Sequence, residues 1–142
     1  MHSNNSFIQP YLFFNGRCAE ALDFYRQALG AEVQMAMRYH ESPEPPSSDC
    51  LPPGFENNIM HCALRIGTTT VMASDGNSNE PAKFEGFSLS LTVPTEAEAN
   101  HTFNALLDGG KVMMPLGKTF FSPCFGMLSD RFGVMWMVIV PA

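Results

Sequence analysis

Positive charge is scarce in this chain. Eight Lys and Arg stand against 14 Asp and Glu, a formal net charge of -6, and the basic residues are scattered rather than gathered along one face. A polyanion is bound by clustered cations that neutralise its phosphates, so no nucleic-acid partner is expected. Long apolar runs are missing as well: no segment approaches the roughly 18 uninterrupted apolar residues of a membrane helix. The opening "MHSNNSFIQP" lacks a basic start followed by an apolar stretch. Neither a membrane partner nor a secretion signal is expected, and the chain reads as soluble and cytoplasmic. The four cysteines, Cys18, Cys50, Cys62 and Cys124, are far apart and form no C-x-x-C pair. Reduced thiols are expected, with Cys62 a small buried hydrophobe in a strand pattern. No G-x-G-x-x-G follows a strand, so the nucleotide fingerprint is also absent.

Apolar residues, by contrast, make up 45% of the 142 positions, enough to bury a real core in one compact domain or two small modules sharing it. The run "FIQPYLFF" (7–14) reads as a strand. It ends at Asn15-Gly16, and "CAEALDFYRQALG" then places Ala21, Leu22, Phe24, Tyr25, Ala28 and Leu29 at helical spacing, with Gly30 as the stop. Three strand-like runs follow at 31–39, 58–66 and 68–75, the last two joined at Gly67. From residue 86 the order recurs: "GFSLSLTV", the helix "TEAEANHTFNALLDGG" with a Thr95/Glu98 capping box, then "KVMMPLGKTF", "CFGMLSD" and "VMWMVIV".

An offset of 79 residues lays Leu12 on Leu91, Phe24 on Phe103, Gly30 on Gly109 and Met35 on Met114. An offset of 66 lays "RIG" (65–67) on "RFG" (131–133). Helix, glycine stop and following strand agree at one offset, which identifies an internal duplication. The expected fold class is α+β: two βαβββ modules, 1–80 and 81–142, that pair curled mixed sheets around a central cavity with helices on the outer faces. That cavity is the expected binding site. The proline-rich stretch 40–58 reads as a lid-like loop of the first module or as a disordered segment.

These segments resemble the vicinal oxygen chelate superfamily, the fold of glyoxalase I and of the fosfomycin and bleomycin resistance proteins. The resemblance covers residues 7–141 and rests on "AEALDFYRQALGAEV", "TEAEANHTFNALLDGGKV" and the D-x-x-G turn at Asp130–Gly133. More narrowly, "PYLFFNG", "IMHCALRIG", "VMASD" and "TFFSPCFGMLSDRFGVMWMV" are similar to the PhnB-like branch, whose members often carry a demethylubiquinone methyltransferase label. The resemblance implies metal-ligand positions in the first and last strand of each module, and these fall at Gln9, Val71, Ser88 and Met137. An amide, an isopropyl group, a hydroxyl and a thioether do not make a site for a divalent ion that wants imidazole and carboxylate. No metal is expected there, and no other cofactor.

With those four positions facing the cavity, strand alternation places Tyr11, Phe13, Ala73, Ser90, Thr92, Met135 and Ile139 beside them. Leu12, Phe14, Phe87, Leu89, Leu91, Val93, Trp136, Val138 and Val140 then face the helices. His61, on the face opposite Cys62 and Leu64, is the candidate general base, ligand or substrate-orienting donor, or else a histidine hydrogen-bonded in the interior or at a subunit contact. His2, His40 and His101 read as tail, loop and helix surface. Trp136 reads as a core anchor. Phe121 is expected to wall the pocket mouth, and Ser122 and Cys124 lack an identifiable base. The expected ligand set is therefore Gln9, Tyr11, Phe13, His61, Ser88, Ser90, Phe121, Met135 and Met137.

Three roles follow as expectations. The first is a small-molecule-binding protein for an apolar or aromatic compound, whose methionines give an adaptable wall. The second is a lyase, isomerase or dioxygenase-like enzyme using a displaced metal or a metal-free site around His61. The third is an interaction module forming a homodimer, with modules exchanged through the linker 76–86.

Overall fold

Two offset copies of one apolar pattern become two copies of one element order. The computed structural model describes residues 5–44 and 51–142, and the chain divides into the units Met1–Pro81 and Ala82–Ala142. The first holds β1 (Tyr11–Phe13), α1 (Cys18–Leu29), β2 (Glu32–Arg38), β3 (Ile59–Ile66) and β4 (Thr69–Ser74). Its sheet runs β1-β4-β3-β2, with β1 parallel to β4 and the other pairs antiparallel. The second holds β5 (Leu89–Thr92), α2 (Glu96–Leu107), β6 (Lys111–Gly117), β7 (Cys124–Ser129) and β8 (Met135–Val140). Its sheet repeats the topology as β5-β8-β7-β6. Each unit is thus a βαβββ module with a four-stranded mixed sheet that does not close on itself.

In α1, Ala21, Leu22, Phe24 and Tyr25 are buried at helical spacing. The helix stops at Gly30, whose φ of +63° is a left-handed conformation that only glycine adopts without steric cost. In α2, Ala99, Phe103 and Leu106 form the buried stripe, and Thr95 Oγ1 accepts the N–H of Glu98 at 3.1 Å, the forward half of the expected capping box. The helix lies so close to β7 that a Cβ on Gly126 would stand 2.9 Å from the Phe103 ring and 3.0 Å from Leu116. Apolar side chains fill the layer between helix and sheet in each unit: Leu12, Cys62, Leu64 and Ala73 in the first, and Leu128, Trp136 and Val138 in the second.

Several expected boundaries move. The first strand shortens from 7–14 to Tyr11–Phe13 because Pro10 has no N–H to donate. Its carbonyl still accepts from Met72 N at 2.9 Å, and Phe7 and Ile8 ahead of it are exposed. Gly86, with φ +79°, turns the chain before β5, so the ladder begins at Leu89 and Phe87 is exposed rather than helix-facing. Of the loop expected as a lid, residues 45–50 lie outside the described residues. Its flanks are 3-10 turns at Tyr39–Glu41 and Phe55–Asn57. Phe55 is buried with its ring 6.3 Å from that of Tyr39, and Tyr39 N donates to Asn58 O at 3.0 Å.

One correction concerns register. Leu12 pairs with Ala73 in the first sheet, and Leu91 with Val138 in the second. The strands β4 and β8 therefore correspond at an offset of 65, not 66. Val71 and Ala73 are buried on the helix side with Leu64 and Cys62, their ladder partners, and Met72 takes the open-face position. The cause is the turn. Ile66 pairs with Thr69 across two residues, whereas Ser129 pairs with Met135 across five, so aligning the turn glycines slips the strands by one and swaps every side chain to the other face.

Candidate functional site

Within the first unit, α1 covers one face of the sheet, and among the described residues no helix or strand of that unit covers the other. Ladder register places Tyr11 and Phe13 of β1, Met72 of β4, His61 and Ala63 of β3, and Met35 and Met37 of β2 on that open face. Tyr11 is 37% exposed, Phe13 52% and Met35 40%, so this is accessible apolar surface rather than core. The tyrosine ring lies 5.0 Å from that of Phe13 and 5.6 Å from that of His61. Tyr11 reaches across β4 to bring its hydroxyl 3.0 Å from His61 Nδ1. A phenol and an imidazole thus form one polar unit on an aromatic and thioether surface. When the tyrosine O–H donates to Nδ1, the ring proton sits on Nε2 and can be given to an acceptor. At one end the face turns polar, with Arg65 paired to Glu32 at 2.6 Å and Thr70 Oγ1 donating to Gln34 Oε1 at 3.4 Å.

The second sheet also has an open face. Ser90 pairs with Met137 and Thr92 with Ile139, and Met135, Met127 and Met114 continue this face, with Phe125 buried on it. Phe121 packs edge-on against Phe125, its centroid 5.0 Å away, and Phe120 stands fully exposed against Phe121 at 5.1 Å.

The sequence-derived residues therefore fall into two groups. Tyr11, Phe13 and His61 come together on the first sheet, and Ser90, Met135 and Met137 on the second. Gln9 and Ser88 are half-buried just ahead of β1 and β5. The open-face positions of Met35, Met37 and Met72 were missed. The β2 bulges and the one-residue slip hide them in sequence, although the helix-side burial of Leu12 fixes the parity once β1 and β4 are paired.

Other reactive groups are used structurally. Ser122 Oγ lies 2.6 Å from Val140 O and accepts the N–H of Cys124 at 3.1 Å. Burial pushes the Cys124 thiol up from its usual value, and Glu96 adds to the effect. Trp136 is buried as expected, its indole N–H donating to Asp130 Oδ2 at 2.9 Å. His40 and His101 are exposed, and His2 lies outside the described residues. Among the described residues no three His, Cys, Asp or Glu side chains come together as a metal-binding group. No described helix is long and apolar enough to cross a membrane.

Comparison with known proteins agrees with this architecture. The profile of the family described as 3-demethylubiquinone-9 3-methyltransferase matches residues 6–139. The crystal structure of protein PA1353 from Pseudomonas aeruginosa is 43% identical, covers 96% of this chain and 98% of that one, and superposes with a TM-score of 0.84. A PhnB protein from Bacillus cereus, which bears the same methyltransferase name, is 30% identical with a TM-score of 0.78, covering 95% of this chain and 99% of that one. At 10% identity, a glyoxylase/bleomycin resistance protein/dioxygenase domain from Frankia sp. EAN1pec has a TM-score of 0.66 over 99% of this chain and 100% of that one, which speaks to fold alone. Two βαβββ modules, a profile match over nearly the whole chain and a 30% identical PhnB place it together: the chain belongs to the PhnB-like family described as 3-demethylubiquinone-9 3-methyltransferase, on the glyoxalase/bleomycin resistance/dioxygenase fold.

Proposed function

We propose that this chain is a small-molecule-binding protein that takes an apolar, aromatic compound against the open face of its first sheet, without a metal. The carrying observation is the Tyr11–His61 hydrogen bond, a polar anchor on a surface otherwise made of Phe13, Met35, Met37 and Met72. Aromatic rings and flexible thioethers adapt to an apolar body, and one or two placed polar groups fix its orientation. The positions that the fold's metal-dependent members use offer Gln9, Met72, Ser88 and Met137 after the register correction, which supports a metal-free reading.

The family's descriptive name does not carry methyl transfer to this chain. The turn from β1 into α1 is Asn15-Gly16 rather than a glycine-rich loop, and the N–H groups at the start of α1 are already taken by Asp75. A second reading rests on the same contact: a phenol bonded to an imidazole is an acid–base pair, so a metal-free isomerase or lyase would use Tyr11 and His61 as its proton-moving groups.

Calorimetric titration with 1-naphthol, set against naphthalene, tests the binding reading. His61→Ala and Tyr11→Phe are expected to weaken naphthol binding by about 3- to 10-fold, the worth of one hydrogen bond, while leaving naphthalene binding within twofold. Equal naphthol affinity in wild type and both variants would exclude the pair as the anchor, and no binding up to the solubility limit would exclude the face.

A further inference from the structure

We propose that Cys18 and Cys62 form an oxidation site, a buried dithiol that a hydroperoxide converts to a disulfide stapling α1 to β3. The inference is independent of any ligand on the open face. Cys18 opens α1 and Cys62 sits near the middle of β3, and neither side chain has any exposed surface. Their Sγ atoms are 3.7 Å apart, in direct contact. A disulfide bond needs about 2.05 Å, so the sulfurs close by roughly 1.7 Å, a movement that side-chain rotation and a small helix shift supply. Both partners are held for it: Cys18 N donates to Asp75 Oδ1 at 2.8 Å, and Cys62 Sγ donates to Ala73 O at 3.3 Å.

The two sulfurs touch, so either thiol can take the first step and the other resolves it. One thiol, ionised, attacks one peroxide oxygen, the O–O bond breaks, and the departing oxygen leaves as hydroxide or alkoxide and takes up a proton, giving a sulfenic acid. The second sulfur then attacks the first, the S–O bond breaks, and the hydroxyl leaves as water with the second thiol's proton. In sum, two thiols and one hydroperoxide give one disulfide, one alcohol or water, and one further water. Burial makes the reaction depend on opening the first turn of α1. His61 directly precedes Cys62 on the other side of the sheet, so pulling Cys62 toward the helix also moves the Tyr11 partner.

The test is hydrogen peroxide treatment of the full chain, followed by denaturing alkylation and peptide mapping by mass. Expected is one Cys18–Cys62 linked peptide, lighter by two hydrogens and restored by dithiothreitol, with Cys124 still alkylated. The oxidised chain is expected to melt higher by something on the order of 5–10 °C. Cys124→Ala retains the link and the shift, and Cys62→Ala loses both. Full alkylation of Cys18 and Cys62 after peroxide would overturn the proposal. So would Cys62 carried to sulfinic acid without a cross-link, or a link to Cys50 or Cys124. If Cys62→Ala does not fold, the wild-type peptide map decides alone.

Discussion

Asp130→Ala is expected to lower stability by about 3–5 kcal/mol, because it strips a buried hydrogen-bond hub rather than a surface charge. Asp130 is 3% exposed. Its Oδ1 accepts the N–H groups of Phe132 at 2.9 Å and Val134 at 3.0 Å, and its Oδ2 accepts the Trp136 indole N–H at 2.9 Å. One carboxyl group thus closes the turn between β7 and β8 and ties it to the indole that fills the second core. Alanine removes these three hydrogen bonds at once, and Phe132, Val134 and Trp136 are themselves buried, so water replaces the lost acceptors poorly. Trp136 is the only tryptophan, so its fluorescence reports this unit directly. A fall of at least about 10 °C in its melting transition is expected. Asp130→Asn, which keeps one oxygen, falls between alanine and wild type. A drop of under about 2 °C for alanine would show that the turn holds without the hub.

The matching change in the first unit is Asp75→Ala, with an expected cost of about 2–4 kcal/mol. Asp75 is 1% exposed, yet its partners are remote in sequence: Gly16 N at 2.7 Å and Cys18 N at 2.8 Å on Oδ1, and Ile59 N at 2.9 Å on Oδ2. The residue before α1 is Arg17, which supplies no side-chain cap, so Asp75 serves as the N-cap from the end of β4. It joins the entry of α1, the start of β3 and the end of β4 at one point. The cost is slightly lower than for Asp130 because Gly16 is exposed and water can reach its N–H. Amide exchange is the discriminating readout: Cys18 and Ile59 N–H groups are expected to lose protection in Asp75→Asn as well, with Ile59 affected more, since the amide nitrogen of asparagine replaces one acceptor. Unchanged protection at both positions would refute the hub.

These two carboxyl groups show where sequence reading stops. The order of elements was legible because helical spacing, glycine stops and strand alternation are local, and duplication wrote them twice. The D-x-x-G turn at Asp130 was visible, but not its link to Trp136. Asp75 looked like the tail of a strand, because its bonds to Gly16 and Cys18 span 59 and 57 residues. The Cys18–Cys62 contact spans 44 residues and was hidden for the same reason. At the site, strand parity placed His61, Tyr11 and Phe13 correctly on one face. It failed at Val71, where a two-residue turn in one module corresponds to a five-residue turn in the other, and Met72 is the residue that shares the face with Tyr11.

The most direct measurement is a 1-naphthol titration of protein carrying 13C-labelled methionine methyl groups, followed by NMR once with and once without a metal chelator. Met35, Met37 and Met72 share the open face with the Tyr11–His61 pair, so their methyl signals are expected to shift together and saturate along one binding curve. Signals that stay fixed at these three methionines, or a response that the chelator abolishes, would contradict metal-free binding on this face.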